Sequence, residues 1–315
     1  EVGPVTLTMT SQGKPTIETE SFAIIGGLQF SSDPSSTSLP DIVDYDASLP
    51  ITWKLDFGCE DEPNASSFTT RHPYYVTLNT PLITLGNSAP RHTVLHLACR
   101  CAQGRSTFAM TLGAIWSMFQ SERDIGLQRI DGVRMTYWNP PDDDNQWLRP
   151  LLTTPLGNGC CTAWAALFRA TLRVHGDSSA IVKVIVPPRP SNRAGWLFVN
   201  NWEFAATPAN PGVHCDGYNY LYPVDVIDQL GAAGQANPDP PPVFGSHFVV
   251  EVDGWLYDPS YGIGPFPPLF GVPSWHIYEW FAFAGYGLEC GSDLFVTKEN
   301  PDAVDCLFFT APEQE

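Results

Sequence analysis

The stretch Ser246-His247-Phe248-Val249-Val250-Glu251-Val252-Asp253-Gly254-Trp255-Leu256-Tyr257-Asp258 reads as a β-hairpin. Its arms are rich in β-branched and aromatic residues, and Asp253-Gly254 is a favoured two-residue turn because both central positions need positive φ. With that loop, Val252 pairs with Trp255 and Asp258 faces Val249. His247 lies two residues from Val249 and shares its face of the pleat. The spacing therefore predicts His247 and Asp258 as diagonal neighbours, with Cα atoms about 7 Å apart. Such a pair can form the carboxylate–imidazole bond that orients a catalytic base. Taken singly, each residue has a plainer reading: a satisfied strand histidine, and a carboxylate capping the Asp258-Pro259-Ser260 turn.

Upstream, Gly157-Asn158-Gly159-Cys160-Cys161 leads into a second informative segment. Ala165, Phe168 and Leu172 recur at helical spacing, with Trp164, Leu167 and Thr171 beside them. Apolar coverage that broad predicts a helix buried on most faces, opening near Cys161 and stopping at Gly176. The glycines allow a sharp entry. A thiol at a helix N-terminus feels the positive end of the peptide dipoles, so the pKa of Cys161 is expected to fall and its thiolate to serve as a nucleophile. The plainer reading is a small, inert core cysteine.

These two segments together resemble the transglutaminase-like superfamily. Its nucleophile helix carries Gly-x-Cys, then Ala four residues on, Leu-Arg eleven and twelve on, and Gly fifteen on. With Cys161 as that cysteine, Gly159, Ala165, Leu172-Arg173 and Gly176 fall at those places. The segment from His247 to Ser260 is similar to the family's second block and supplies Glu251, Gly254, Asp258 and Pro259, with Trp255 one residue nearer Gly254 than is common. The chain also departs at Ala163, where the family usually has an acidic or aromatic residue. The order Cys, His, Asp is kept. The resemblance lies within roughly residues 91–315. It implies an α+β fold with a papain-like, transglutaminase-like core over residues 89–315.

Residues 1–88 read as a separate β-rich, sandwich-like domain. Short strands are predicted at 5–9, 22–30, 51–57 and 74–78, with turn clusters at 31–38 and 60–67. Residues 1–62 hold 11 Asp+Glu against only Lys14 and Lys54, which reads as a solvated acidic surface. Residues 81–90 form a connector. A helix capped by Ser106 or Thr107 should bury Phe108, Leu112, Ile115, Trp116 and Phe119. Residues 139–144 and 237–242 read as loops, 180–186 and 196–204 as strands, and 223–230 as a short helix.

Composition closes off several functions. The 315 residues contain 16 Lys+Arg and 34 Asp+Glu, a net charge of −18. That balance argues against a nucleic-acid face and against docking on an anionic membrane. No apolar run is long enough to predict a membrane span. The opening residues carry no signal pattern, which leaves a cytoplasmic chain or a secreted one whose signal has been removed. The eight cysteines are scattered, and nothing reads C-x-x-C or H-E-x-x-H. Cys99-Arg100-Cys101 is a poor metal site by itself. No P-loop or G-x-G-x-x-G occurs. Neither metal nor cofactor is expected. Asn64-Ala65-Ser66 is a glycosylation sequon of the kind chance supplies.

The resemblance implies Cys161 as nucleophile, His247 as general base and then acid, and Asp258 as the group that fixes the imidazole. The Cys161 N–H is a candidate oxyanion donor, with Gln146 or Trp147 as a weaker second; the favoured reading of those two is a surface glutamine and a core tryptophan. The expected function is a cysteine peptidase or amidase acting on peptide or protein amides through an acyl-enzyme. The alternatives are transglutaminase-type transfer to an amine and an inactive transglutaminase-like binding module. The aromatics Trp255, Tyr257, Tyr261, Phe266, Phe270, Trp275, Tyr278, Trp280 and Phe281 could line a groove, although core packing is the expected role of most.

Overall fold

Asp253 and Gly254 both hold positive φ, 49° and 80°, the pair of values that a type I′ turn requires. The turn sets the register Val252↔Trp255, Glu251↔Leu256 and Val250↔Tyr257, as the sequence predicts. Around this hairpin the computed structural model describes residues 6–11, 17–18, 41–56, 66–82, 92–122, 126–138, 147–187, 195–206, 213–215, 218–221, 224–227, 231–290, 293–298 and 307–311.

The chain begins with β1 (Thr6–Ser11), β2 (Ile17–Glu18), β3 (Asp44–Asp56) and β4 (Ser66–Val76). Next come α1 (His92–Ala102), α2 (Phe108–Ser121), β5 (Thr136–Tyr137), α3 (Leu148–Thr153), β6 (Asn158–Gly159) and α4 (Cys161–Arg173). Then follow β7 (Ile181–Val186), β8 (Gly195–Val199), β9 (Glu203–Ala206), β10 (Val213–Cys215), β11 (Tyr218–Leu221) and β12 (Val224–Ile227). The chain ends with β13 (Val243–Phe244), β14 (His247–Val252), β15 (Trp255–Asp258), β16 (Ile263–Phe266), α5 (Ser274–Ala282), β17 (Phe283–Cys290), β18 (Asp293–Lys298) and β19 (Leu307–Thr310). The architecture is mixed helix and sheet, of the α+β kind. Two compact units result: Glu1–Leu78 with Cys99–Thr111, and Asn79–Ala98 with Leu112–Glu315. The expected boundary at residues 88 and 89 lies outside the described residues.

In the first unit four antiparallel strands form one sheet in the order β2-β1-β3-β4. Trp53 and Phe68 stack across β3 and β4, and the Trp53 indole donates to Thr70 Oγ1 at 2.6 Å. Val43, Leu49, Val76 and Cys99 are buried. The expected strand at 22–30 lies outside the described residues, and among the described residues this unit holds one sheet, not two layers. The turn cluster expected to reach residue 67 ends sooner, because Ser66 and Ser67 already pair with Leu55 and Lys54.

In the second unit the hairpin sits within a five-stranded sheet of order β16-β15-β14-β7-β19. Helix α4 packs against β14, and α3 against α4. The core under them is aromatic: Trp116, Phe119, Phe168 and Tyr257 meet with ring centroids 5.0–5.4 Å apart along Trp116–Tyr257, Trp116–Phe168, Phe119–Phe168 and Phe168–Tyr257. Trp164 and Phe168 are fully buried, and removing such a ring commonly costs about 3–5 kcal/mol. Helix α2 starts as the sequence predicts: Thr107 Oγ1 accepts the Met110 N–H at 3.4 Å, and Ile115, Trp116 and Phe119 are buried. Its Trp116 indole and Gln120 amide both donate to the Gly264 carbonyl, tying α2 to β16. At the end of α4, Gly176 takes φ +82°, and an added Cβ would come within 2.6 Å of Asn79 Cβ, so glycine is required.

Three expectations change. The strand predicted at 196–204 is two strands, β8 and β9, broken where Asn201 adopts φ 69°, a conformation asparagine tolerates well. Of the helix predicted at 223–230, residues 224–227 are described and are not helical. Val224–Ile227 is strand β12 and pairs with β9, because β-branched residues favour strands and so short a helix cannot repay its nucleation. Helix α1 is not anticipated by the sequence reading. Its buried positions Val94, Leu97, Ala98 and Ala102 do follow helical spacing.

Candidate active site

The imidazole and the carboxylate meet as the hairpin predicts. His247 and Asp258 are 1% and 0% exposed, and His247 Nε2 lies 2.9 Å from Asp258 Oδ2. A carboxylate only accepts, so Nε2 donates, and in the neutral ring Nδ1 carries the lone pair. His247 Nδ1 is buried with no hydrogen-bond partner. Asp258 also fulfils its plainer reading. Its Oδ1 accepts the N–H groups of Ser260 at 3.0 Å and Tyr261 at 3.3 Å. The Tyr278 hydroxyl donates to Oδ2 at 2.7 Å. The sequence places Tyr278 among the groove aromatics but not as a partner of Asp258. It comes from α5, and no local pattern links it to the hairpin. Burial, with the Asp258 charge second, holds the Tyr278 phenol well above its ordinary pKa, so it remains a donor at neutral pH.

Cys161 is the first residue of α4 and Cys160 its N-cap, in extended conformation at φ −79° and ψ −178°. The segment before them is held by the parallel pair β5–β6, with Tyr137 opposite Gly159, and by the Trp138 N–H donating to Gly159 O at 3.0 Å. A Cβ on Gly159 would come within 2.8 Å of Ala163 Cβ, so the backbone reaches the helix only as glycine. Both thiols are free of disulfides; Cys160 is half-buried and Cys161 is 4% exposed.

The helix N-terminus does not act on the cysteine that the sequence reading named. The Cys160 thiol is lowered to about 6, first by a hydrogen bond from the Cys161 thiol, with Thr162 and the amides of Thr162 and Ala163 adding to it against burial. Cys161 is pushed well above the ordinary thiol value by that same bond to Cys160, then by burial and by the charge on Cys160; only the Phe248 amide works the other way. The two thiols are thus shifted in opposite directions, Cys160 down and Cys161 up. That Phe248 amide belongs to the residue after His247, so the Cys161 sulfur faces the strand that carries the imidazole.

Two further phenols surround the site. The Tyr261 ring lies 5.7 Å from His247 and 5.2 Å from Tyr137. Burial raises both phenols well above the ordinary value. A cavity of about 400 Å3 opens on the dyad, lined by His247, Asp258, Tyr261, Phe266, Tyr278 and Phe281 among others, and by neither cysteine. Four of the nine singled-out aromatics therefore line it. Tyr257 is core, while Trp255, Phe270 and Trp280 are exposed.

Of the two weaker oxyanion candidates, Gln146 lies outside the described residues. Trp147 is the N-cap of α3 and 45% exposed, so it is not the core residue favoured for it; it precedes a helix whose buried leucines, Leu151 and Leu152, take that role. Cys99 is buried in α1, its thiol donating to Val76 O at 3.8 Å and pushed up to about 12 by burial. Among the described residues no group of three His, Cys, Asp or Glu side chains is placed to hold a metal ion, and no helix is long and apolar enough to cross a membrane. No family model matches this chain, and neither a curated protein nor a solved structure does.

Proposed function

We propose that this chain is a thiol-dependent amide or peptide hydrolase on a papain-like, transglutaminase-like core, with Cys161, His247 and Asp258 as its triad. One observation carries the reading: Asp258 holds Nε2 of a buried imidazole whose Nδ1 has no hydrogen-bond partner, and the strand that carries this imidazole packs against the helix that Cys161 opens. In this reading Nδ1 takes the Cys161 proton as the sulfur attacks the carbonyl carbon. The raised Cys161 pKa makes such a base necessary, since little thiolate is preformed. The imidazolium, stabilised by Asp258, then gives its proton to the leaving amine, and the acyl-enzyme forms. Water entering at the same nitrogen resolves it. The Cys161 N–H, among the first amides of α4 and so without an intrahelical partner, can serve the oxyanion. Losing one such donor costs about 3 kcal/mol of transition-state stabilisation.

Transfer to an amine differs only in what resolves the acyl-enzyme. The net charge of −18 concentrates cationic amines near the surface, while water needs no recruitment; hydrolysis is therefore preferred. A specific observation favours a second reading, a binding module that keeps the site without turnover: Cys161 is only 4% exposed, and the cavity reaches the dyad without touching either thiol. The deciding experiment incubates the chain with a panel of peptide amides, with and without a primary amine. Ammonia release or an acyl adduct on Cys161, lost in His247→Ala, supports the hydrolase. No adduct and no ammonia with any donor supports the module.

A further inference from the structure

The cavity of about 400 Å3 that reaches the dyad is walled mainly by rings. Four of them, Phe244, Tyr261, Tyr278 and Phe283, are buried. Phe281 lines the cavity too, yet it is 61% exposed. Its ring lies 5.9 Å from Phe266 and stacks on the exposed Trp280 at 6.3 Å, so aromatic surface runs from the cavity into solvent. Large rings left in water at the edge of an apolar hollow gain from a partner that covers them. Asn200 fixes that edge: its Nδ2 donates to Phe281 O at 3.1 Å, and its Oδ1 accepts the Asn201 N–H at 3.0 Å. Gly231, Ala232 and Ala233 add no bulk to the lining. Dry cavities of about 150 Å3 hold benzene, so this one has room for a phenyl or indole ring and adjoining backbone.

Charge narrows the ligand. Among the described residues that line the cavity there is no Lys, Arg or Glu. The Asp258 carboxylate already accepts from His247, Tyr278 and two main-chain amides. A charged side chain entering here would lose its water without gaining a counter-ion. Position decides which part of a substrate enters. In the hydrolase reading, on which this inference rests, the imidazole hands its proton to the leaving amine while the acyl carbon is bonded to Cys161. His247 lines the cavity and neither cysteine does, which puts it on the amine side of the scissile bond. We propose that the cavity is a binding site for a neutral aromatic side chain, that of the residue whose amine leaves.

The test has two arms, both on the full chain. Calorimetry measures binding of phenylalaninamide, lysinamide and glycinamide to Cys161→Ala, which cannot form an acyl-enzyme. Glycinamide carries the same amine as phenylalaninamide, so their difference reads the side chain. Turnover by the unaltered chain is compared on peptides that differ only in Phe, Lys or Gly after the scissile bond. Phenylalaninamide should bind at least about tenfold tighter than the other two, and kcat/KM should favour Phe by a similar factor. Ala233→Phe, which fills the space, and Phe281→Ala, which removes an exposed ring with little risk to folding, should each bring the Phe-over-Gly ratio back toward one. Turnover without a Phe preference, or a preference that both variants keep, overturns the inference and leaves the hydrolase reading standing. Phe-selective binding that both variants weaken, with no turnover of any peptide, upholds the ligand class and overturns the hydrolase reading. Neither binding nor turnover overturns both.

Discussion

The two halves of the candidate site are built in different ways. The His247–Asp258 half joins residues eleven positions apart in one hairpin, and its geometry follows from a turn and an alternation. The cysteine half depends on a helix docking against β14, and its geometry follows from the aromatic core beneath. The first is fixed by local chemistry and the second by packing at a distance. A prediction from sequence should hold for the hairpin and drift at the thiols: the dyad appears as expected, while the thiol expected to be lowered, Cys161, is raised and its neighbour Cys160 is lowered.

The strongest way to separate the halves is Asp258→Asn. The side chain keeps its shape but no longer fixes the tautomer, so turnover of any accepted amide should fall by about 10^4-fold. Cys161 alkylation in the unacylated chain should change far less. Equal losses in both would show that the halves are not separable.

Phe168→Ala attacks the other side of the comparison. It leaves the hairpin sequence untouched and removes a fully buried ring that meets Trp116, Phe119 and Tyr257. Denaturant unfolding should show a loss of about 3–5 kcal/mol. Gly254→Ala strains the turn at φ 80° and should cost about 1–3 kcal/mol. If the core ring proves cheaper than the turn, the account of which half is packed and which is local fails.

Two pH measurements sharpen the contrast further. Cys160→Ala removes the charge and the hydrogen bond that hold the Cys161 thiol up, so the pH midpoint for alkylating Cys161 should move downward. An unchanged or higher midpoint would contradict that cause. The smallest effect belongs to His175, whose pKa burial lowers and whose Nε2 lies 3.2 Å from Ala98 O. The unfolded chain then binds the proton more readily, so this residue costs stability as pH falls below roughly 6.5 and nothing above it. His175→Gln should flatten that acid slope in thermal melts.

What the sequence revealed follows the same division. Asp253-Gly254 and the alternation around it carry register in their own chemistry, and Thr107 announces the start of α2. Tyr278 was illegible as a partner of Asp258 because it reaches the carboxylate from another element. The strand at residues 224–227 was misread because Pro223 before a short segment suggests a helix start, while the pairing with β9 that decides the matter is non-local. The reversal within the cysteine pair was hidden for another reason. Both thiols sit at one helix end, and their residue types and spacing do not say which of them is lowered.

Asp258 uses one oxygen on the imidazole and the phenol and the other on two main-chain amides. The plane of that carboxylate is therefore clamped by the main-chain amides of residues 260 and 261. Lengthening or shortening that corner would rotate the acceptor away from the ring without altering a single triad residue. Tuning of acid–base strength in such a scaffold can thus proceed through backbone length alone.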